Sequence, residues 1–282
     1  MNFTEYKRIA NALKMQPSNK YSTWDNIMQL CLNMYEDNQD YLKYCLKLSK
    51  AVKLSAQRLL LQNRDVRFED LYWQAVKFEA PHLFDSYLLY LERKRLEQDR
   101  FYSPKRKQLN KHGLIQSLQD MEDDKLDILS ISMPPGTQKT TLEKFFCSWI
   151  IGRHPDDFSL FFSHSGDITR MFYDGVMDIT TNSDEYCWQE IFPDVKFHST
   201  NAKRETINFN KYKPFSNIQC TSVGSKNAGK VRANRYLYCD DLIGGIEEAL
   251  NKNILDKLWR IYGTDAKQRK MDGCKEIHIA TR

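Results

Sequence analysis

The sequence predicts an α/β fold in which a mainly parallel sheet is flanked by helices and preceded by an α-helical N-terminal segment. Three observations predict it. From residue 101 onward, short β-like runs alternate with helical stretches, the pattern that strand–helix–strand crossovers produce. Residues 1–100 instead carry apolar side chains at three- and four-residue spacing, which is helical periodicity. The chain has 282 residues, 41% of them hydrophobic, enough for a sizeable core in one large domain or two smaller ones.

The N-terminal elements come first. Phe3, Tyr6, Ile9, Ala10 and Leu13 share a helical face, and Ser22 or Thr23 can cap a second helix through Trp24, Ile27, Met28 and Cys31. Residues 40–63 contain neither Gly nor Pro and keep the same spacing. The pattern returns over Phe68–Arg100, with Pro81 marking a start or kink at His82. Tyr72, Trp73, Phe78 and Phe84 read as core, and Glu92–Glu97 reads as a charged helical face. The texture changes around Tyr102–Arg106, which suggests a helical unit over 1–100 and an α/β domain over 101–282.

In that second part, strands are expected at Lys125–Met133, Phe158–His164, Ile207–Asn210, Ile218–Val223, Asn234–Asp240 and Glu276–Thr281. A helix is expected at Thr140–Gly152. Trp259 and Tyr262 read as packing residues of a later helix.

Composition excludes several classes of protein. No window approaches 18 uncharged apolar residues, and Met1–Lys14 lacks the apolar stretch of a signal peptide, so neither a membrane span nor secretion is expected. Seven cysteines without a C-x-x-C pair argue against a disulfide framework and a zinc site, and fit reduced thiols in a cytosol. The six histidines show no ligand spacing. Residues 1–110 hold 19 Lys and Arg against 13 Asp and Glu, while residues 111–282 hold 23 against 24. Any electrostatic grip on a polyanion therefore belongs to the first part or to a local patch.

The most informative segment is Leu126–Thr141. An apolar strand runs into a turn, Pro134-Pro135-Gly136-Thr137-Gln138, and Lys139-Thr140-Thr141 opens a helix. Phosphates bind at such a place because unpaired N–H groups and the positive end of the helix dipole converge there. A lysine in the first turn reaches the β- and γ-phosphates, and the next hydroxyl ligates Mg²⁺. Lys139 and Thr140 occupy those slots. The match to G-x-x-x-x-G-K-[ST] is imperfect: Met133 and Gln138 stand where glycines belong. If Gln138 takes positive φ, the strain is about 1–2 kcal/mol and another contact must offset it. Taken alone, the segment also reads as an ordinary strand-to-helix turn.

A second segment supports the phosphate reading. Arg235–Asp241 is an apolar strand ending in Asp240-Asp241. Phosphoryl transfer needs one carboxylate to hold hydrated Mg²⁺ and another group to orient the attacking water. Ligands collect at the carboxyl ends of parallel strands. Ser222–Lys230 is also glycine-rich but lacks Lys followed by Ser or Thr at a helix start, so it reads as a loop.

With these motifs in order, the chain resembles the ATPase part of the tailed-bacteriophage terminase large subunit, the motor that packages double-stranded DNA. The resemblance runs from about Tyr102 to Arg282. It rests on Met133-Pro134-Pro135, Gly152-Arg153-His154-Pro155, Ser163-His164-Ser165, the loop Gly224–Lys230, Tyr236–Asp241, Glu247-Glu248-Ala249 with the Trp-containing stretch Leu255–Tyr262, and Ile277–Arg282. It implies a P-loop NTPase core of the ASCE type that takes ATP and Mg²⁺. It also implies double-stranded DNA as partner, a ring of identical subunits on a portal, a small terminase subunit and the host bacterial cytoplasm. By the same resemblance Lys139 stabilises the β- and γ-phosphates, Thr140 and Asp240 hold Mg²⁺, and Asp241 polarises the lytic water with Glu247 and Glu248 as alternates. Thr281 senses the γ-phosphate, and Arg106 and Gln108 are the adenine candidates. Many relatives carry an arginine inside the phosphate loop; here Pro135 and Gly136 stand there, which leaves open an arginine supplied in trans by a neighbouring subunit, with Arg153, Arg170 and Arg232 as candidates. In that family a nuclease domain follows; the last motif ends at Arg282, so no cutting activity is expected of these residues. Two other readings stay open: a helicase-like nucleic-acid ATPase, and a nucleotide-binding scaffold that does not hydrolyse.

Overall fold

The computed structural model describes residues 66–134, 136–224 and 231–281. The helices expected before residue 66 lie outside the described residues. The chain divides into two compact units, Met1–Tyr90 and Leu91–Arg282.

In the first unit, α1 (Val66–Glu79) and α2 (Phe84–Leu91) are separated by a turn at Pro81, which cannot donate to a preceding carbonyl. Ala75, Val76, Phe78, Phe84, Tyr87 and Leu88 are buried, while Tyr72 and Trp73 are half-buried. Ser86 Oγ donates 2.7 Å to the buried Glu79 carboxylate.

The second unit holds a seven-stranded sheet in the order β1-β7-β6-β2-β5-β4-β3. Its strands are β1 (Ile128–Met133), β2 (Ser159–Ser163), β3 (Phe197–Asn201), β4 (Thr206–Phe209), β5 (Ile218–Ser222), β6 (Tyr236–Asp240) and β7 (Lys275–Thr281). Five run parallel from β1 to β5; β4 and β3 continue antiparallel. The fold is therefore α/β with a mostly parallel sheet. The six expected strands are all present. β3 was not foreseen, because its Phe-His-Ser-Thr-Asn run lies exposed at an edge and carries no apolar alternation.

The helices of this unit are α3 (Tyr102–Lys111), α4 (Leu114–Glu122), α5 (Lys139–Arg153), α6 (Gly166–Thr181), α7 (Trp188–Ile191), α8 (Ile246–Leu250) and α9 (Lys252–Ile261). They cover both sheet faces, as a buried parallel sheet requires. On one face Phe161 stacks on Phe172 of α6 at 3.8 Å, and Phe146 of α5 meets Tyr236 edge-on at 5.3 Å. On the other, Leu160, Phe162, Leu237 and Cys239 pack with Tyr262, which begins a π-helical turn after α9. Every residue of β2 and β6 is buried. The five described cysteines are free and buried.

Two local expectations need correction. Glu92–Glu97 is a turn leading into a short 3₁₀ segment, not a helical face. Glu92 is 1% exposed, and its carboxylate accepts the N–H groups of Phe101 and Tyr102, both at 2.8 Å. It serves the start of α3 instead of solvent. Trp259 is 72% exposed rather than packed, whereas Tyr262 is buried. Among the described residues no helix is long and apolar enough to cross a membrane.

Candidate functional site

The parallel strands bring the sequence motifs to one rim. Met133 of β1 is in register with Thr281 of β7, Asp240 of β6 with Ile279 of β7, and Ser163 of β2 with Asp240. The carboxyl ends of β1, β7, β6 and β2 thus meet where α5 begins.

Between β1 and α5 the chain turns through Gly136, whose φ of 77° suits a residue without Cβ. Gln138 follows at φ 61° and ψ 40°, the left-handed conformation its position demanded, at about 1–2 kcal/mol for a side chain other than glycine. The Lys105 ammonium of α3 donates to the Gln138 side-chain oxygen. Thr137 Oγ1 donates 2.8 Å to the Pro134 carbonyl, and Lys139 Nζ lies 3.4 Å from the Met133 carbonyl. Lys139 is 9% exposed, so its ammonium sits within the loop rather than in bulk water. Pro135 lies outside the described residues.

Thr140 and Asp240 meet directly: Thr140 Oγ1 donates 2.7 Å to Asp240 Oδ2. Asp240 is 1% exposed, and its Oδ1 is buried without a hydrogen-bond partner. Burial pushes its carboxyl above the usual range and Asp241 adds to the rise, while the Thr140 hydroxyl opposes it. A buried carboxylate oxygen without a donor, a hydroxyl beside it and no sulfur or imidazole ligand form an all-oxygen set that fits Mg²⁺. Among the described residues no group of three or more His, Cys, Asp or Glu is arranged to hold a metal ion, so protein ligands would be few and water or phosphate would complete the shell.

Asp241 follows in the left-handed region at φ 40°. Its N–H donates 3.0 Å to the Ile279 carbonyl, and its own carbonyl accepts from His164 Nδ1 at 2.5 Å. These bonds pin a strained residue between β7 and the end of β2. Glu248 turns back to accept the Gly244 N–H at 2.7 Å, and Glu247 is exposed on α8. Thr281 ends β7 with its backbone beside Met133. Thr141 is half-buried in the first turn of α5.

A cleft of about 740 Å³ runs from α3 and α4 along β1 to the β1–α5 loop, lined in part by Lys105, Gln108, Ser130, Gly136 and Thr137. Gln108 thus reaches the loop's own cleft, whereas Arg106, two residues earlier on α3 and half-exposed, points from a different side of the helix and does not line it.

The three arginines lie apart from one another. Arg153 ends α5, about 20 Å from Lys139 at 1.5 Å per residue. There it pairs with buried Glu122 at 3.0 Å, together with Arg235 at 2.8 Å and His154. Arg232 precedes β6, at the end of the sheet opposite Asp240, with its guanidinium 3.4 Å from the Gln268 carbonyl. Arg170 on α6 pairs with Asp174 at 3.0 Å and donates 2.9 Å to the Ala202 carbonyl.

Two groups have no role assigned from the sequence, Glu143 because no motif singles it out and Ser163 because it enters only as part of the Ser163-His164-Ser165 resemblance. Glu143, one turn beyond Thr140, is 3% exposed, and neither carboxylate oxygen has a hydrogen-bond partner. Burial raises its pKa well above the ordinary carboxylate value, and Asp240 adds to the rise. A charged residue facing inward on an otherwise apolar helix face was the available signal. Ser163 Oγ is likewise buried without a partner on the strand beside Asp240. Compared with known proteins, the chain matches no family model and no curated protein.

Proposed function

We propose that this chain is an ATP hydrolase whose phosphate loop is Gly136–Thr141, with the P-loop NTPase core of ASCE type that the sequence implies. The observation that carries the reading is the 2.7 Å hydrogen bond between Thr140 and Asp240. Two motifs a hundred residues apart, each ambiguous alone, supply adjoining oxygens at one rim of the sheet.

Each residue then has a physical task. The N–H groups at the start of α5 and the Lys139 ammonium neutralise phosphate charge. Thr140 and Asp240 would hold Mg²⁺, which when bound would supply positive charge against the phosphates. Asp241, its backbone pinned by His164 and Ile279, would orient a water; Glu248 is engaged by its own loop. Thr281 reports on the phosphate through β7, which lies between β1 and β6. Gln108 and Arg106 serve the base.

The wider role rests on the terminase resemblance: a DNA-packaging motor that drives double-stranded DNA into a procapsid. Such a motor would act as a ring on a portal, with a small terminase subunit, in the host bacterial cytoplasm. The test is steady-state ATP hydrolysis by the full chain, free, concentrated and with double-stranded DNA. Lys139→Ala should lower turnover by about a hundredfold or more. Absence of turnover by the wild-type chain under all three conditions would reject the enzyme. Turnover indifferent to DNA would reject the motor, whereas cutting of plasmid in Mg²⁺ or Mn²⁺ would contradict the assignment of residues 101–282 to an ATPase core alone.

A further inference from the structure

The phosphate loop has a cationic neighbour from outside its own sequence. Lys105 belongs to α3, 33 residues before Gln138, yet its ammonium donates to the Gln138 side chain at the mouth of the loop. The same ammonium lies 4.6 Å over the ring of buried Phe101. Among the described residues no carboxylate pairs with Lys105. An amide oxygen and an aromatic face orient the ammonium but carry no net charge, so its full positive charge stays available. Lys105, Gly136 and Thr137 line the same cleft. The helix that bears it, Tyr102–Lys111, contains Lys105, Arg106, Lys107 and Lys111 and no acidic residue.

We propose that Lys105 is a second phosphate-binding cation, supplied in cis by α3, that gives up its hydrogen bond to Gln138 for one to the phosphate chain of a bound nucleotide. The inference rests on the ATP reading of the site. A phosphate oxygen is a stronger acceptor for an ammonium than a neutral amide, and the flexible four-carbon stem lets Nζ follow it. The exchange costs no buried ion pair. The other candidate cations for the site, Arg153, Arg170 and Arg232, are instead bonded to Glu122, Asp174 and the Gln268 carbonyl. Gln138 is then a placeholder that keeps Lys105 aimed at the loop before nucleotide arrives.

The experiment is equilibrium binding of Mg-ATP and of adenosine to the full chain and to Lys105→Met, Lys105→Arg, Gln138→Gly and Lys139→Met. Loss of one charge-assisted hydrogen bond predicts an ATP affinity about ten- to hundredfold lower for Lys105→Met, with adenosine unaffected. Lys105→Arg should recover most of the loss, and Gln138→Gly should bind ATP at least as tightly as the wild type. ATP binding that survives Lys105→Met but not Lys139→Met would overturn the proposal while leaving the phosphate loop intact. Equal weakening by Lys105→Met and Gln138→Gly would reduce the contact to loop scaffolding and overturn it too. If the wild type binds no ATP, or binding ignores Lys139, the reading beneath fails and this one falls with it.

Discussion

Thr140 donates its hydroxyl proton to the Asp240 carboxylate at 2.7 Å, joining the first turn of α5 to the carboxyl end of β6. Asp240 is nonetheless short of partners, since its second oxygen is buried and unbonded. Function and stability should therefore separate here. Asp240→Asn should abolish turnover while raising stability near neutral pH by about 1 kcal/mol, because it removes a buried charge. Thr140→Ala should abolish turnover and lower stability by about 1 kcal/mol, as it takes away the remaining donor. Paired hydrolysis and urea-unfolding measurements check both signs; equal destabilisation by the two would refute the account.

Gln138 carries left-handed strain that glycine does not. Gln138→Gly should raise stability by about 0.5–1 kcal/mol, the relieved strain less the added unfolded-state entropy. A lower thermal midpoint would mean that the contact with Lys105 outweighs the strain.

Glu122 joins α4, α5 and β6 through Arg153, His154 and Arg235. Burial works to raise its pKa, but the hydrogen bond from His154 and the Arg153 and Arg235 guanidinium groups hold it at about 2, well below the ordinary 4.5. Glu276 is held at about 2 as well: burial opposes, and Lys270, Tyr262 and His278 overcome it. A depressed carboxylate stabilises fully above its unfolded pKa and loses that contribution as pH falls through the folded one. Stability should therefore decline from about pH 5 towards pH 2. In Glu122→Gln that decline should be shallower and neutral-pH stability about 2–4 kcal/mol lower. Denaturant midpoints across that range provide the check.

Glu143 has the opposite sign. Its pKa is raised by burial and by Asp240, so its contribution is complete below pH 4.5 and lost as pH rises through the folded value. Glu143→Gln mimics the neutral form. The variant should match the wild type in acid and exceed it in stability at alkaline pH. A constant difference across pH would show that Glu143 is ionised in the fold.

Most of the second unit was legible in the sequence because its strands are short apolar runs bounded by turns, and β2 and β6 are buried throughout. β3 lacked that signal, and Trp259 was misjudged because a helical interval does not say which face meets the sheet. Glu92 looked like one charge in a solvated run, yet it bonds two N–H groups nine and ten residues away. Charge patterning identifies residues that are able to face water, not those that do.

By itself the sequence determined the alternation of strands and helices and the Lys139-Thr140 and Asp240-Asp241 pairs at element boundaries, since these follow from local periodicity and turn chemistry, while the positive φ of Gln138 was only conditional on the loop it belongs to. Tertiary structure decided which strands are neighbours, and so that Thr140 reaches Asp240, that Glu143 and Ser163 are buried beside it, that Arg153 serves Glu122, and that Lys105 meets Gln138 in the β1–α5 loop. These contacts span 31 to 100 residues or join separate elements. They arise from strand order and helix packing, which depend on the whole core and not on any local run of residues.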